Sequence, residues 1–446
     1  MSKASSILQC CLACFVLCCG CDSSSNWSLP AVVEGDSMAP TIRGAHLQAN
    51  CLDCQYEFTA ETAENRQGTL TCPNCGYRKV DVAEAAVIPA AEVQLKPFAK
   101  FPRRWEVVGF ELPKGSDDET GVKRIVGLPG ETIEIKQGDL FANESILRKS
   151  WALQKQVRIP VFDSKFNAIA PFDNTKRFRP VVDDATGWRV AGEVLKMVAP
   201  AGDVDWLDYV HWRNCKRNGD RDEAFPVADN YGFNQQTARE LKETDDLMIR
   251  LDAEFEMNST MVLAFRRHKA EFVFEIAKAK KDFSITWRGE SQRKPLVYQS
   301  LVEDESFDKK APIKLARGVV EFSSFDRSLI LRVNGTTVFE ILEDENASAA
   351  TTESNFPAGA LSVFRIGGSR GSFRINRTRI WRDLYYLAAP AEFADRKTLK
   401  LTAGPKEYIL LGDNSPKSLD SRVWEKPGIA RDKLIGRLES PFVTQK

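Results

Sequence analysis

Between Asp246 and Trp381 apolar and polar residues alternate with a period of two. Leu247, Ile249, Leu251, Ala253, Phe255 and Met257 form one such run, and Phe272, Phe274, Ile276 and Phe283, Ile285, Trp287 form others. Successive side chains of a strand point to opposite faces, so each run predicts a strand with one face on a core. Leu329, Leu331 and Val333 lead into Asn334-Gly335, and Val338 to Leu342 leads out. Both turn residues tolerate the positive φ of a type I′ turn, which predicts a hairpin. Repeated antiparallel strands without helices between them predict a β-sandwich. From Ala31 to about Ser150 the alternations are shorter and broken by Gly and Pro, as in Arg104–Phe110, Lys123–Val126 and Thr132–Ile135. A second strand-rich domain is expected there, so the whole fold is expected to be mainly β.

Composition narrows the class. At 446 residues the chain has room for about three domains. Sixty-two basic residues balance sixty-two acidic ones, so no global charge favours nucleic acid, and none is expected as a partner. With 43% hydrophobic and 28% charged residues the chain reads as globular, not disordered or polytopic. One segment departs from this. After Lys3 an apolar run extends from Ile7 to Gly20 and ends in Cys21, Asp22 and three serines. As a helix it would span only about 21 Å, short of the roughly 30 Å hydrocarbon core. Residues 1–26 therefore read as a signal or membrane-anchor segment. Either it is processed before Cys21, as in lipoproteins, or it stays as a short anchor; in both cases Lys3 remains inside and the rest faces outward.

The cysteines are uneven. Six of the eleven lie within the first 21 residues, and Cys215 stands alone. The other four form Cys51-x2-Cys54 and Cys72-x2-Cys75, seventeen residues apart, the ligand spacing of a zinc ribbon. Two such knuckles can direct four thiolates at one point and leave no position for water, so the expected zinc is structural. Two disulfides are the other reading in an oxidising compartment. No cofactor is expected for catalysis.

Three segments carry candidate chemistry: Glu34-Gly35-Asp36-Ser37-Met38-Ala39-Pro40-Thr41, Lys123-Arg124-Ile125-Val126-Gly127-Leu128-Pro129-Gly130-Glu131, and Gly412-Asp413-Asn414-Ser415-Pro416-Lys417-Ser418-Leu419-Asp420-Ser421-Arg422. Taken together and in this order they resemble the type I signal peptidases, membrane-associated serine proteases that remove signal peptides from exported preproteins. The resemblance implies Ser37 as nucleophile and Lys123 as general base. It further implies that Ser418 hydrogen-bonds the Lys123 amine and that Asp420 and Arg422 brace their loop as an ion pair. A lysine can take the serine proton only if burial lowers its pKa towards neutrality, and Ile125, Val126 and Leu128 offer an apolar setting. The Ser37 N–H would meet the oxyanion, since Gly35 has no hydroxyl to add.

Other catalytic readings fail on inventory. His46, His211 and His268 stand in no motif with a serine and an acid. Gly367-Gly368-Ser369-Arg370-Gly371 satisfies GxSxG, but a nucleophile elbow needs a following helix, and Phe373 to Trp381 alternates as a strand. Ser369 is expected in a hairpin.

The expected organisation is a segment at 1–26, a catalytic domain in three parts (27–50, 77–150 and 395–446), a zinc-ribbon insertion at 51–76, and an insertion at 151–394. The last is expected to be a sandwich with a leading irregular segment, similar to the jelly rolls of the laminin-G and concanavalin-like group. Replacing it with a linker is expected to leave a folded peptidase. The implied setting is the bacterial cytoplasmic membrane with the catalytic domain on its outer face. Signal peptides would be the substrates, and the sandwich could hold a ligand of its own. A rival reading is an anchored, non-catalytic binding protein that uses ribbon and sandwich for protein or glycan recognition.

Overall fold

The computed structural model describes residues 27–62, 68–112, 120–166, 177–181, 187–198, 203–211, 224–267, 270–279, 282–289, 316–342, 363–393 and 399–439. The amino-terminal cysteines, Cys215 and His268 lie outside these residues. Among the described residues no helix is long and apolar enough to cross a membrane.

The fold is mainly β and antiparallel throughout. Its first body is a seven-stranded sheet in the order Leu29–Val33, Ala91–Lys96, Leu434–Leu438, Val107–Glu111, Thr120–Gly127, Glu407–Leu411 and Gly428–Ala430. Strands from both ends of the chain are interleaved, so three sequence pieces share one sheet. Val108 pairs with Lys123 and Leu411 with Arg124, which lays the second box beside the strand that enters the third. A four-stranded sheet, Ser145–Ile146, Asp139–Ala142, Thr132–Lys136 and Leu399–Thr402, lies next to it in sequence. The turn between Thr120–Gly127 and Thr132–Lys136 follows from Leu128-Pro129-Gly130-Glu131. Glu131 N–H donates to the Leu128 carbonyl and Gly130 takes a φ of 80°, the pattern of a type II turn with Pro and Gly at its centre.

The ribbon is larger than its cysteines. Strands Glu57–Glu61, His46–Asn50 and Ala86–Ile88 form a small sheet, and Thr69–Leu70 pairs with Val80–Asp81. Leu47, Phe58, Leu70, Val80 and Val82 pack with the four cysteines into one apolar cluster.

The sandwich matches the alternation. One sheet contains Leu247–Phe255, Ala316–Ser323, Ser328–Val333, Thr336–Leu342 and Phe373–Arg382; the other contains Phe364–Arg370, Thr260–Arg267, Ala270–Ala279 and Asp282–Gly289. Apolar side chains from the inner faces close the core: Ile249, Leu251, Phe255, Phe322, Leu331 and Phe364 are all buried in it. The Asn334-Gly335 hairpin forms with both residues at positive φ and Val333 opposite Thr336. Two expectations are corrected. The leading segment is not irregular, because Ile159–Asp163, Phe178–Pro180, Trp188–Ala191, Val194–Met197 and Asp205–Tyr209 extend both sheets. These strands span only three to five residues, too short for alternation to declare itself. Ser369 lies in a strand, but Phe364–Arg370 and Phe373–Arg382 belong to opposite sheets, so Gly371 turns an arch between sheets and not a hairpin. No helix follows it.

The sandwich shares a core with the sheets built from 27–150 and 395–446. Tyr231, Phe233, Leu384 and Tyr386, all from 151–394, pack with Ala39, Val126, Ile133, Ile409 and Leu411. Where the chain enters and leaves the insertion, Lys149 meets Asp383 at 2.8 Å.

Candidate active site

Ser37 follows the strand Leu29–Val33, on a turn that the third box holds from behind. Asn414 N–H donates to the Ser37 carbonyl at 3.0 Å, and its side-chain amide donates to the Asp36 carbonyl at 3.1 Å. Gly412 lies against both boxes: a Cβ there would fall on Ser418 Oγ and the Ser37 carbonyl oxygen. Glycine is required here by close approach.

Lys123 comes from the neighbouring strand Thr120–Gly127, and its Nζ donates to Ser37 Oγ at 2.7 Å. The amine is buried, and this desolvation lowers its pKa to about 8; Arg422 adds to the lowering, while Asp420 and Asp413 oppose it. At pH 7 about a tenth of such an amine is neutral, against roughly one part in three thousand at the ordinary value. A neutral amine at that distance can accept the serine proton.

Two buried ion pairs frame the dyad. Arg422 meets Asp420 with Nε to Oδ1 and Nη2 to Oδ2, both at 2.8 Å, and also donates to the carbonyls of Leu387, Ser415 and Ser418. Burial pushes the Asp420 carboxyl up, but Arg422 and the Gly412 N–H hold it below the ordinary range. Arg124 clasps Asp413 in the same forked way, at 2.8 and 2.6 Å, with both side chains out of solvent. Thr41 donates its hydroxyl to that carboxylate. Thr41, Arg124 and Asp413 thus tie one box each to the other two, and removing any one would leave buried charge or polar surface unpaired.

Ser418 corrects an expectation. It is fully buried, yet its Oγ has no hydrogen-bond partner and does not bond Lys123. The hydroxyl faces Gly412, close enough to Asp420 to help keep that carboxyl ionised but without a well-formed hydrogen bond. Lys123 instead bonds Ser37 and, at 3.3 Å, the Val122 carbonyl.

Outside the dyad, Asp36 is pushed up to about 6 by burial, with Lys417 opposing and Glu61 adding to the rise. Lys417 pairs with Glu61, which belongs to the ribbon strand Glu57–Glu61. The two described histidines have other partners: His46 bonds the Gly44 carbonyl and His211 faces Tyr209.

The four ribbon cysteines are brought together. All are buried and free of disulfides, and their sulfur atoms lie within 4.8 Å of one another. Cys51 and Cys75 Sγ are 3.5 Å apart, Cys54 and Cys72 Sγ 3.7 Å. Thiolates around a tetrahedral zinc at about 2.3 Å would stand about 3.8 Å apart, whereas a disulfide needs about 2.05 Å. Both knuckles close alike: Gln55 N–H donates to the Cys51 carbonyl and Gly76 N–H to the Cys72 carbonyl, and each donor has a positive φ. The donor set therefore fits a structural tetrahedral ion.

Sequence reasoning left several residues without a role. Thr41, Arg124, Asp413 and Asn414 stand inside the boxes, and their place there was the signal. Glu61 and Tyr231 stand outside them with no periodicity or motif to mark them.

Residues 6–186 match the family model described as "Signal peptidase, peptidase S26". This span takes in Ser37 and Lys123 and stops before the third box, and the likeness is to a protease family. No curated protein matches the chain. Among solved structures the chain is similar to an endo-acting O-glycanase from the human gut microbiota, with 11% identity, 50% of this chain and 98% of that one covered, and a TM-score of 0.28. It is also similar to a beta-1,3-glucanase from Mycobacterium marinum, with 8% identity, 50% and 98% covered, and a TM-score of 0.25. A third is the PL7 alginate lyase AlyA1 from Zobellia galactanivorans, with 9% identity, 63% and 93% covered, and a TM-score of 0.21. Likeness at these scores carries no argument about activity.

Proposed function

We propose that this chain is a membrane-associated type I signal peptidase, a serine endopeptidase that cleaves signal peptides from exported preproteins with a Ser37–Lys123 dyad. The observation that carries the reading is the 2.7 Å contact between Ser37 Oγ and a buried amine lowered to about 8. Neutral Lys123 takes the hydroxyl proton as Oγ attacks the scissile carbonyl, and the Ser37 N–H stabilises the oxyanion. The ammonium then protonates the leaving amine, and Lys123 activates water to release the acyl group from Ser37. The substrate would lie extended along Leu29–Val33, the end strand of its sheet, which runs directly towards Ser37. Anchoring through residues 1–26 on the outer face of the bacterial cytoplasmic membrane would confine enzyme and substrate to one surface and raise their effective concentration.

The test is cleavage of a signal-peptide substrate by the soluble chain beside its Ser37→Ala form. Cleavage by the first and not the second supports the reading. Equal inactivity of both folded proteins would favour the anchored binding protein.

The same proposal includes one structural zinc held by Cys51, Cys54, Cys72 and Cys75, supported by their spacing and matched knuckles. When bound it would contribute folding energy and take no part in the reaction. Metal analysis should find one zinc per chain and, after its removal, four additional reactive thiols. Two disulfides by mass spectrometry, with no metal, would overturn this.

A further inference from the structure

The turn that carries Ser37 can be accounted for one carbonyl at a time. The Asp36 carbonyl accepts from Ala39 N–H at 3.1 Å and from the Asn414 side chain; that of Ser37 accepts from Asn414 N–H; that of Met38 accepts from Ile42 N–H at 3.0 Å. The fourth, on fully buried Ala39, accepts at 2.8 Å from the hydroxyl of Tyr231. Three of the four are served from within the three boxes or the turn itself. The last is served from the long insertion.

Tyr231 is built for a fixed position. Asn234 Oδ1 accepts from its N–H at 2.9 Å, and the guanidinium of buried Arg382 lies 5.6 Å from its ring centre. The same loop is held by the ribbon: Glu61 N–H donates to the Gly232 carbonyl, Gln236 N–H donates to Glu61 Oε1 at 3.0 Å, and Gln235 and the Thr71 backbone exchange two bonds of 2.8 Å. Gly232 admits no side chain, since a Cβ would fall on the Thr59 carbonyl oxygen. The next residue returns to the site, where the Phe233 carbonyl accepts from Asn414 Nδ2 at 3.1 Å. Burial pushes the Tyr231 phenol well up, so it remains a donor at any working pH.

We infer that Tyr231 is a positioning residue for the nucleophile: its hydroxyl, presented by the insertion and clamped by the ribbon, fixes the turn that aims Ser37 at Lys123. The inference rests on the peptidase reading. It also bears on the expectation that a linker in place of 151–394 leaves a folded peptidase, because that replacement would remove the hydroxyl that serves the Ala39 carbonyl together with side chains that cover it.

Tyr231→Phe keeps the ring and its packing and removes only the hydroxyl, so a purely structural role predicts full activity. The variant should remain folded with an unchanged melting temperature to within a few degrees, while kcat falls roughly tenfold and KM stays constant, as expected for a misaligned nucleophile. The midpoint of its pH profile should match that of the wild type, since Lys123 keeps its surroundings. Wild-type kcat in folded Tyr231→Phe, measured where Ser37→Ala is inert, overturns the inference and leaves the peptidase reading intact. Inactivity of the wild type as well would overturn the peptidase reading instead.

Discussion

Two lysines of this protein are taken out of water and reach opposite states. Lys123 touches a neutral hydroxyl, with Asp420 and Asp413 acting only at a distance, and desolvation prevails, lowering it to about 8. Lys149, where the chain enters the sandwich, is equally deprived of solvent, but its Nζ contacts the carboxylates of both Asp326 and Asp383. Burial pulls it down, yet the two acids hold it well above the ordinary lysine range, and Asp383 is itself pushed up to about 7 by burial. Burial alone does not make a base. The partner in contact decides whether a buried amine becomes a proton acceptor or a structural cation.

Replacing Lys123 or Ser37 by alanine should break the contrast with the largest effect. Each should lower kcat by about 10⁴-fold or more without unfolding the chain, and the double variant should be no worse than either, because the two act as a unit. Substantial turnover by either folded variant would refute the dyad. Asp326→Asn attacks the other lysine. Leaving Lys149 with one carboxylate should cost about 3 kcal/mol of stability, read by denaturant unfolding, while the pH profile of cleavage keeps its midpoint. A shifted midpoint would mean that the junction, too, tunes the catalytic base. The pH profile is the finest test. Since Lys123 must be neutral to act, kcat/KM should rise about tenfold per pH unit below its pKa and level off above about 8. A plateau beginning two units higher would show that the amine is not desolvated in solution.

The reach of sequence reasoning followed the range of the forces involved. Alternation exposed the longer sandwich strands because burying one face of a strand is a local, period-two requirement, and the Asn334-Gly335 turn declared itself through backbone sterics alone. The paired CxxC knuckles were equally local, since each closes within six residues. Short strands such as Phe178–Pro180 gave no such pattern, and their place in the sandwich comes from partners far along the chain.

At the site, it was the resemblance of the three boxes, taken in order, to a peptidase family that implied Ser37 and Lys123 as nucleophile and base and Asp420 with Arg422 as an ion pair; residue types and spacing alone left each box weak. Only the tertiary structure decided the rest. It left Ser418 without a hydrogen bond to the amine and joined Arg124 to Asp413 across 289 positions. It also brought Tyr231 to a carbonyl 192 residues distant. Those contacts depend on which strands of an interleaved sheet lie side by side and on which buried acceptors lack a donor, and neither quantity is local to any stretch of sequence.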